Sequence, residues 1–196
     1  MIRSLAKKIA SVFVLYGESS ESDSDIYAYA CEAIISTIIN IAIGLAIALI
    51  FGRIVEGIVF ISVFALLRKY TGGHHANTHF KCILVFSTLV ACAMGLISVV
   101  SHLEVIGLVG LGIATIAGVG IFILAPVEDK NKHSGKEFQM SLKRKGRYVA
   151  FALWLFCIID FYILNSQISF SLALSMLSVL GSMAYATAYS RVCKRG

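Results

Sequence analysis

Long apolar runs alternate with short polar and charged islands along this chain of 196 residues. A run of about 20 apolar residues is long enough to cross the hydrocarbon core of a bilayer as a helix. The pattern therefore predicts about six transmembrane helices, at residues 26–51, 54–70, 80–100, 104–125, 148–165 and 168–189. Two of them are atypical, because the second is short and carries Glu56 and the fifth is interrupted by Asp160.

Composition supports the same interpretation. The chain is 58% hydrophobic and only 14% charged, with a mean hydropathy of +0.85, whereas about a quarter of the residues of a soluble domain are charged. These values exclude a soluble domain. They predict an all-α integral membrane protein, with residues 1–196 forming a single polytopic membrane domain.

The first residues form a different kind of segment. Their apolar positions recur at helical spacing, opposite Arg3, Lys7 and Lys8, and no small-residue cleavage site follows. Segment 1–17 is therefore predicted to be an amphipathic helix on the membrane surface rather than a signal peptide.

The distribution of basic residues predicts the orientation in the membrane. If the N-terminus is cytoplasmic, sixteen of the 17 lysines and arginines fall on the cytoplasmic side, and only Arg53 falls outside. Both termini and segment 68–81 are then cytoplasmic, and a basic cytoplasmic loop, 127–147, meets anionic headgroups. The net charge of +6 does not indicate nucleic acid as a partner, because no basic soluble region is large enough to bind a duplex.

One membrane-boundary segment carries candidate chemistry. The stretch RKYTGGHHANTHFKC, residues 68–82, contains three of the five histidines, a glycine pair and a cysteine. Cysteine and histidine together make a thiol nucleophile, since the imidazole takes the thiol proton and stabilises the thiolate. The scattered cysteines form no CxxC pair, so neither a zinc ribbon nor a redox motif is indicated.

Spacing restricts how the pair can meet. On one continuous helix, His75 and Cys82 would be separated by a rise of about 10.5 Å, which is too long for a hydrogen bond. They can meet if His75 lies on a turn, for which the glycine pair 72–73 is suited, and if Asn77 or Thr78 caps a following helix. Cys82 would then lie near the positive end of that helix, where an anion is favoured.

The pattern R-x3-G-G-x-H-A-x5-C resembles the AgrB-type accessory gene regulator proteins, the membrane peptidases of Gram-positive quorum sensing. The chain length and six-span layout are similar, as is the segment APVEDKNK, residues 125–132, after the fourth span. The resemblance implies that Cys82 and His75 are the catalytic pair. Further motif positions are expected to support the site or bind substrate: Arg68, Gly72, Gly73, Ala76 and Asn77.

The resemblance also implies a substrate and a setting. The substrate is a small precursor peptide with an amphipathic leader and an acidic C-terminal tail. The enzyme removes the tail through an acyl-enzyme, and a cysteine or serine of the peptide then closes a thiolactone or lactone. The expected setting is a bacterial cell membrane, as a homodimer, with the active site at the cytoplasmic face. No cofactor or metal is expected.

Several motif residues have alternative interpretations. His74 competes with His75 as the base, and His79 lies four residues after His75, a spacing that can bind zinc on a helix. Arg68 is either a positive-inside anchor or part of the active site. The glycine-rich fourth span predicts close helix packing, in the bundle or between subunits.

Polar residues inside the spans permit another class of function. Asp160 is either a third catalytic residue or a contact between helices, Glu56 is expected near the membrane interface, and Asn40 is expected to join helices. A small transporter or channel lined by these three residues is the alternative to a peptidase. A non-catalytic peptide receptor is a third possibility.

Overall fold

The chain forms a helical bundle in its computed structural model, which describes residues 6, 8, 9, 11, 24–71, 79–103, 105–125, 136–163 and 167–193. Its six long helices are α1 (Ser24–Ile50), α2 (Ile54–Thr71), α3 (His79–Val100), α4 (Ile106–Leu124), α5 (Lys136–Ile163) and α6 (Gln167–Cys193). Residues 6, 8, 9 and 11 are also helical, and the rest of the predicted surface helix 1–17 lies outside the described residues. The predicted all-α membrane architecture is confirmed.

Five of these helices are long and apolar enough to cross a membrane, namely α1, α3, α4, α5 and α6. Helix α2 differs, because its 18 residues include Glu56, Arg68 and Lys69. The prediction of about six spans therefore holds for six helices in the described residues, of which five have the composition of a full span. Neighbouring helices cover α2, and seven of its residues are buried.

The fifth helix begins earlier than predicted. Hydropathy placed its start at residue 148, but α5 extends from Lys136 to Ile163. The predicted loop 127–147 was therefore wrong over residues 136–147, which are helical, whereas residues 127–135 lie outside the described part of the chain. Charged residues lower the hydropathy of this segment, but Lys, Arg, Glu, Gln, Met and Leu are good helix formers.

Helix α6 is central in the bundle and packs against α2, α3, α4 and α5, while α1 packs against α2 and α3. Its contacts with α2 show that the two helices run parallel. The Ser171 hydroxyl donates to the Glu56 carbonyl at 2.7 Å, and the Ser175 hydroxyl donates to the Phe60 carbonyl at 2.9 Å. Four residues further along α6, the hydrogen bond is made four residues further along α2, so the two helices run in the same direction.

Small residues allow close approach between the helices, as predicted for the fourth span. A Cβ on Gly110 would lie 3.2 Å from the Phe170 backbone, and one on Gly120 would lie 2.6 Å from the Leu180 methyl groups. These glycines therefore pack α4 against α6 within the chain. A Cβ on Gly112 would meet no atom of the other described helices within 4 Å, and a subunit contact through α4 stays a prediction.

A glycine turn joins α1 to α2. Gly52 has φ +66°, a left-handed conformation that favours glycine. The Gly52 N–H donates to the Leu49 carbonyl at 3.0 Å, and the Arg53 N–H donates to the Ala48 carbonyl at 2.8 Å. This pair of bonds is a Schellman motif, and it ends α1 sharply enough for α2 to return alongside.

Candidate active site

Cys82 lies in the first turns of α3, as the fourth residue of a helix that starts at His79. Its thiol is partly buried and not in a disulfide. It occupies the same stripe of the helix as the buried residues Phe86 and Val90, so this stripe faces the bundle. The fold therefore places Cys82 at one end of the bundle, called here the Cys82 end.

Aromatic contacts bring Arg68 to the same level. The rings of Phe64 on α2 and Phe86 on α3 lie 5.4 Å apart between centroids. Arg68 follows Phe64 by one turn and Cys82 precedes Phe86 by one turn, and because α2 and α3 are antiparallel, both lie on the same side of this contact. The guanidinium of Arg68 lies 5.7 Å from the centroid of the Phe64 ring, and its Nη1 donates to the Ser182 hydroxyl at 3.5 Å.

Asn40 reaches this level from α1. A Cβ on Gly44 would lie 3.2 Å from Cε1 of Phe86, and one on Gly95 would lie 3.6 Å from Phe51, so α1 and α3 run parallel. Asn40 precedes Gly44 by one turn, as Cys82 precedes Phe86. Helices α1, α2 and α3 thus supply Asn40, Arg68 and Cys82 at one level, next to an apolar layer that includes Gly44, Phe64 and Phe86.

A basic segment of α5 lies at the same end. Gly146 is buried, and a Cβ there would lie 3.6 Å from Cβ of Tyr70 and from Cγ2 of Thr71 at the end of α2. Around it stand Lys143, Arg144, Lys145 and Arg147. Arg147 anchors the segment to α4, since its guanidinium lies 4.1 Å from the centroid of the Phe122 ring and its Nε donates to the Phe122 carbonyl at 3.2 Å.

The remaining residues predicted for the site lie outside the described residues. These are His75, Gly72, Gly73, Ala76 and Asn77. The predicted turn, the predicted cap and His74 also fall there, and the side chain of His79 is not described. Of the predicted site residues, Cys82 and Arg68 are described, and they lie at a similar level of the bundle.

The opposite end of the bundle, called here the Arg53 end, holds a polar cluster that the sequence did not predict. Arg53 donates from Nη2 to the Ser101 hydroxyl at 2.8 Å, and from Nη1 to Gln167. It also pairs with Glu56 at 3.3 Å. Gln167 in turn donates to the Ser101 carbonyl at 3.3 Å, so the cluster joins the starts of α2 and α6 to the end of α3.

Asp160 lies toward the Arg53 end. It is buried near the end of α5, one turn after Cys157, whose thiol lies 3.8 Å from the Ser169 carbonyl near the start of α6. Cys82 lies about five turns, or about 27 Å, before the end of α3. The structure therefore does not bring Asp160 to the candidate nucleophile.

Comparison with known proteins identifies the family of this chain. The family model described as accessory gene regulator B matches residues 6–184, which is most of the chain. The chain belongs to the accessory gene regulator B family. Membership supports a role in the accessory gene regulator system, in which quorum-sensing peptides are processed.

Two AgrB-like proteins of Clostridium perfringens, from strain SM101 and strain 13, are each 28% identical to this chain over 190 residues. The alignment covers 94% of this chain and 89% of each relative. No solved structure gives a significant match. The accessory gene regulator B assignment therefore extends over essentially the whole bundle.

Three features of this accessory gene regulator B chain were missed from its sequence. Asn40 was predicted only to join helices, because its level relative to Cys82 depends on how α1 and α3 pack. Arg53 was predicted to be an outer-loop residue, because its partners Ser101 and Gln167 are 48 and 114 residues away. The helical continuation of α5 was the one missed feature with a local signal, in its strong helix formers.

Proposed function

We propose that this protein is a membrane cysteine endopeptidase that removes the C-terminal tail of a small signalling-peptide precursor and then cyclises the product. Cys82 is the nucleophile and His75 is the general base. The observation that carries the proposal is the convergence of Cys82 and Arg68 at one end of the bundle, in a chain of a family that processes peptides.

The surroundings of Cys82 suit an anionic nucleophile. It lies in the first turns of α3, where unpaired N–H groups and the helix macrodipole favour negative charge. Arg68 supplies a fixed positive charge at the same level, held by Phe64 and Ser182. Partial burial limits the access of bulk water to the thioester that would join the peptide to Cys82.

The proposed reaction has two acyl transfers. His75 takes the Cys82 thiol proton, and the thiolate attacks the backbone carbonyl that precedes the tail. The C–N bond breaks, the tail leaves as an amine that receives the proton from the imidazolium, and a thioester joins the peptide to Cys82. A cysteine or serine side chain of the peptide, deprotonated by His75, then attacks this thioester. The ring closes as a thiolactone or lactone, and the Cys82 thiol is regenerated.

The same proposal places the Cys82 end at the cytoplasmic face. There the basic segment of α5, which contacts α2 at Gly146, would attract the acidic tail of the precursor. The bilayer is the other partner, and a homodimer is expected from the family resemblance. Neither step of the chemistry requires a metal or cofactor.

The transporter alternative receives less support from the described residues. Glu56 pairs with Arg53 and its carbonyl accepts from Ser171, so it takes part in joining helices. Asn40 lies instead at the level of Cys82. The contact between Gly44 and Ile61 places Asn40 beside residue 65 of α2, which is nine residues after Glu56. These polar residues therefore act at two separate levels of the bundle.

The test is the intact mass of a candidate precursor co-expressed with the protein. The precursor is taken from a neighbouring reading frame that encodes a short peptide with an acidic tail. It is compared in cells carrying the unaltered protein, Cys82→Ala, His75→Ala and the matched control Cys92→Ala, whose cysteine lies on the exposed face of the same helix. We expect tail loss with the unaltered protein and Cys92→Ala only, and a cyclic product one water lighter than the hydrolysed one.

Other outcomes separate the alternatives. Cleavage that persists in Cys82→Ala would remove the nucleophile assignment and indicate a background protease. A precursor that co-purifies with the protein but keeps its mass would indicate a receptor. If authentic precursors neither bind nor lose mass, the peptidase proposal fails.

A further inference from the structure

Asn40 carries an oxygen whose hydrogen bond is missing from the described structure. Its side-chain Oδ1 is buried and accepts no hydrogen bond, and it is the one buried side-chain nitrogen or oxygen in this condition across the described residues. By contrast, the buried hydroxyls of Thr71 and Ser175 both donate to backbone carbonyls. An unpaired buried acceptor is destabilising, and more so in a bundle surrounded by lipid.

A purely structural role would leave this oxygen with a partner. Polar side chains that join transmembrane helices do so by hydrogen bonds across the interface, as Ser171 and Ser175 do between α6 and α2. Asn40 lies on the inward ridge of α1 between the buried residues Ser36 and Gly44, yet no donor of a described residue reaches its oxygen. The described residues therefore do not supply the donor for this oxygen.

The position of the oxygen indicates where that donor comes from. The contact between Gly44 and Phe86 fixes the register of α1 against α3. Asn40 and Cys82 each lie one turn from this contact in the same direction, on helices that pack at about 8–10 Å between axes. Since Asn40 as a whole is only partly buried, rotation about its side-chain torsions can turn the oxygen toward a group seated at the thiol.

We propose that Asn40 is a substrate-positioning residue, whose amide oxygen accepts a hydrogen bond from a backbone N–H of the peptide seated against Cys82. This inference rests on the peptidase proposed above. An extended peptide presents N–H groups that need partners once they leave water. A bond from one of them to a fixed acceptor would hold the scissile carbonyl near the sulfur.

The experiment measures cleavage of a synthetic precursor by the purified full chain in lipid nanodiscs. Asn40→Leu keeps the side-chain size and removes the acceptor, and Asn40→Asp restores an oxygen at the same place. Thr37→Val is the matched control, because Thr37 lies on the exposed face of the same helix and donates to the Ala33 carbonyl of its own helix. We expect Asn40→Leu to lower kcat/KM about tenfold, Asn40→Asp to recover part of the loss, and Thr37→Val to change nothing.

Two further readouts distinguish positioning from structural support. The thermal unfolding temperature of Asn40→Leu should equal or exceed that of the unaltered chain, because the substitution removes an unpaired oxygen. The rate at which a water-soluble maleimide modifies Cys82 without peptide should be unchanged. Both values would fall if Asn40 supported the helix packing or the thiol itself, and that result would overturn the inference.

Backbone methylation of the peptide identifies the donor. Precursors carrying a single N-methyl group at successive positions around the scissile bond are cleaved by the unaltered chain and by Asn40→Leu. At one position the methyl group should lower kcat/KM of the unaltered chain about tenfold. The same methyl group should not lower kcat/KM of Asn40→Leu further, since that variant has already lost the hydrogen bond. Independent losses at every position, or an Asn40→Leu variant as active as the unaltered chain, would reject the inference and leave the peptidase intact. If the unaltered chain fails to cleave any authentic precursor, the proposed function itself is rejected.

Discussion

The two ends of the bundle differ in how completely their polar side chains are hydrogen-bonded within the described residues. At the Arg53 end, Arg53, Glu56, Ser101 and Gln167 are joined to one another by hydrogen bonds and one ion pair. At the Cys82 end, the thiol lies open to part of its surroundings and the Asn40 oxygen accepts nothing from the described residues. Basic residues of α2, α3 and α5 gather around that second end.

If the proposed function is correct, residues that stabilise the fold and residues that act on the substrate lie at different ends of the bundle. A polar group bonded within the chain fixes helices against each other, and its removal is felt mainly in the free energy of unfolding. A polar group left without a partner contributes little to folding and is available to a ligand. Substitutions at the two ends should therefore affect different measurements, which can be checked with matched pairs.

The largest effect is expected on the rate of precursor cleavage, from a comparison of two cysteines that face the interior at opposite ends of the bundle. Cys82→Ser should lower the rate of precursor cleavage about a thousandfold or more, because a serine hydroxyl is a much weaker nucleophile than a thiolate. Cys157→Ser should retain cleavage, since that cysteine is buried near the Arg53 end. Rates are measured from intact peptide masses over time. Equal losses in both variants would contradict the separation.

Arg53→Leu should produce the largest loss of stability. It leaves Glu56 without its cation and Ser101 and Gln167 without their donor, so we expect the free energy of unfolding to fall by about 2 kcal/mol. The measurement is equilibrium unfolding in detergent micelles. The double variant Arg53→Leu with Glu56→Leu should recover part of the loss, because no unpaired carboxylate remains. A loss unchanged in the double variant would show that the pair itself is unimportant.

Arg68→Lys tests the corresponding charge at the Cys82 end. Lysine keeps the positive charge but not the planar group that lies over Phe64 while donating to Ser182. We expect kcat/KM for the precursor to fall about tenfold, because the charge is no longer held in place, with a change in unfolding free energy below about 1 kcal/mol. The same substitution at Arg53 should do the reverse. If Arg68→Lys and Arg53→Lys changed kcat/KM and the free energy of unfolding to the same extent, the contrast between the two arginines would be wrong.

The smallest effect concerns the serines between the two ends. Ser175→Ala removes a hydrogen bond from α6 to the Phe60 carbonyl of α2 and should lower the free energy of unfolding by about 0.6 kcal/mol. Ser178→Ala is the matched control, since its hydroxyl donates to the Leu174 carbonyl of its own helix. We expect the control to change stability by less than half as much, measured in the same unfolding assay. An equal loss of unfolding free energy in both variants would show that hydrogen bonds between helices do not stabilise the protein more than those within a helix.

Local patterns were sufficient to predict the helices. Apolar runs predicted α1 to α4 with boundaries within about two residues, because lipid requires each span to satisfy its backbone internally. The start of α5 was predicted less well, because the apolar run begins at Tyr148 whereas the helix begins at Lys136. Residues 136–147 are largely polar but contain strong helix formers, which an apolar signal alone does not detect.

Contacts between distant residues were beyond such patterns. Nothing near Arg53 in the sequence identifies Gln167 as its partner, and nothing near Asn40 identifies the level of Cys82. Both depend on the register of packed helices, which glycines and aromatic rings determine together. A family motif was sufficient to identify Arg68 and Cys82 as candidate site residues. That they lie at the same level of the bundle could be found only from the fold.

The parallel packing of α2 and α6 also has a consequence for synthesis. Helix α2 is short and carries three charges, and its bonding partners Ser171 and Ser175 are each 115 residues later in the chain. At typical elongation rates the ribosome takes roughly 6 to 23 seconds to make that stretch. During this interval α2 has α1 beside it, with Gly57 against Ala48, and must await α6. The hydrogen bonds between α2 and α6 can therefore form only after α6 has been inserted.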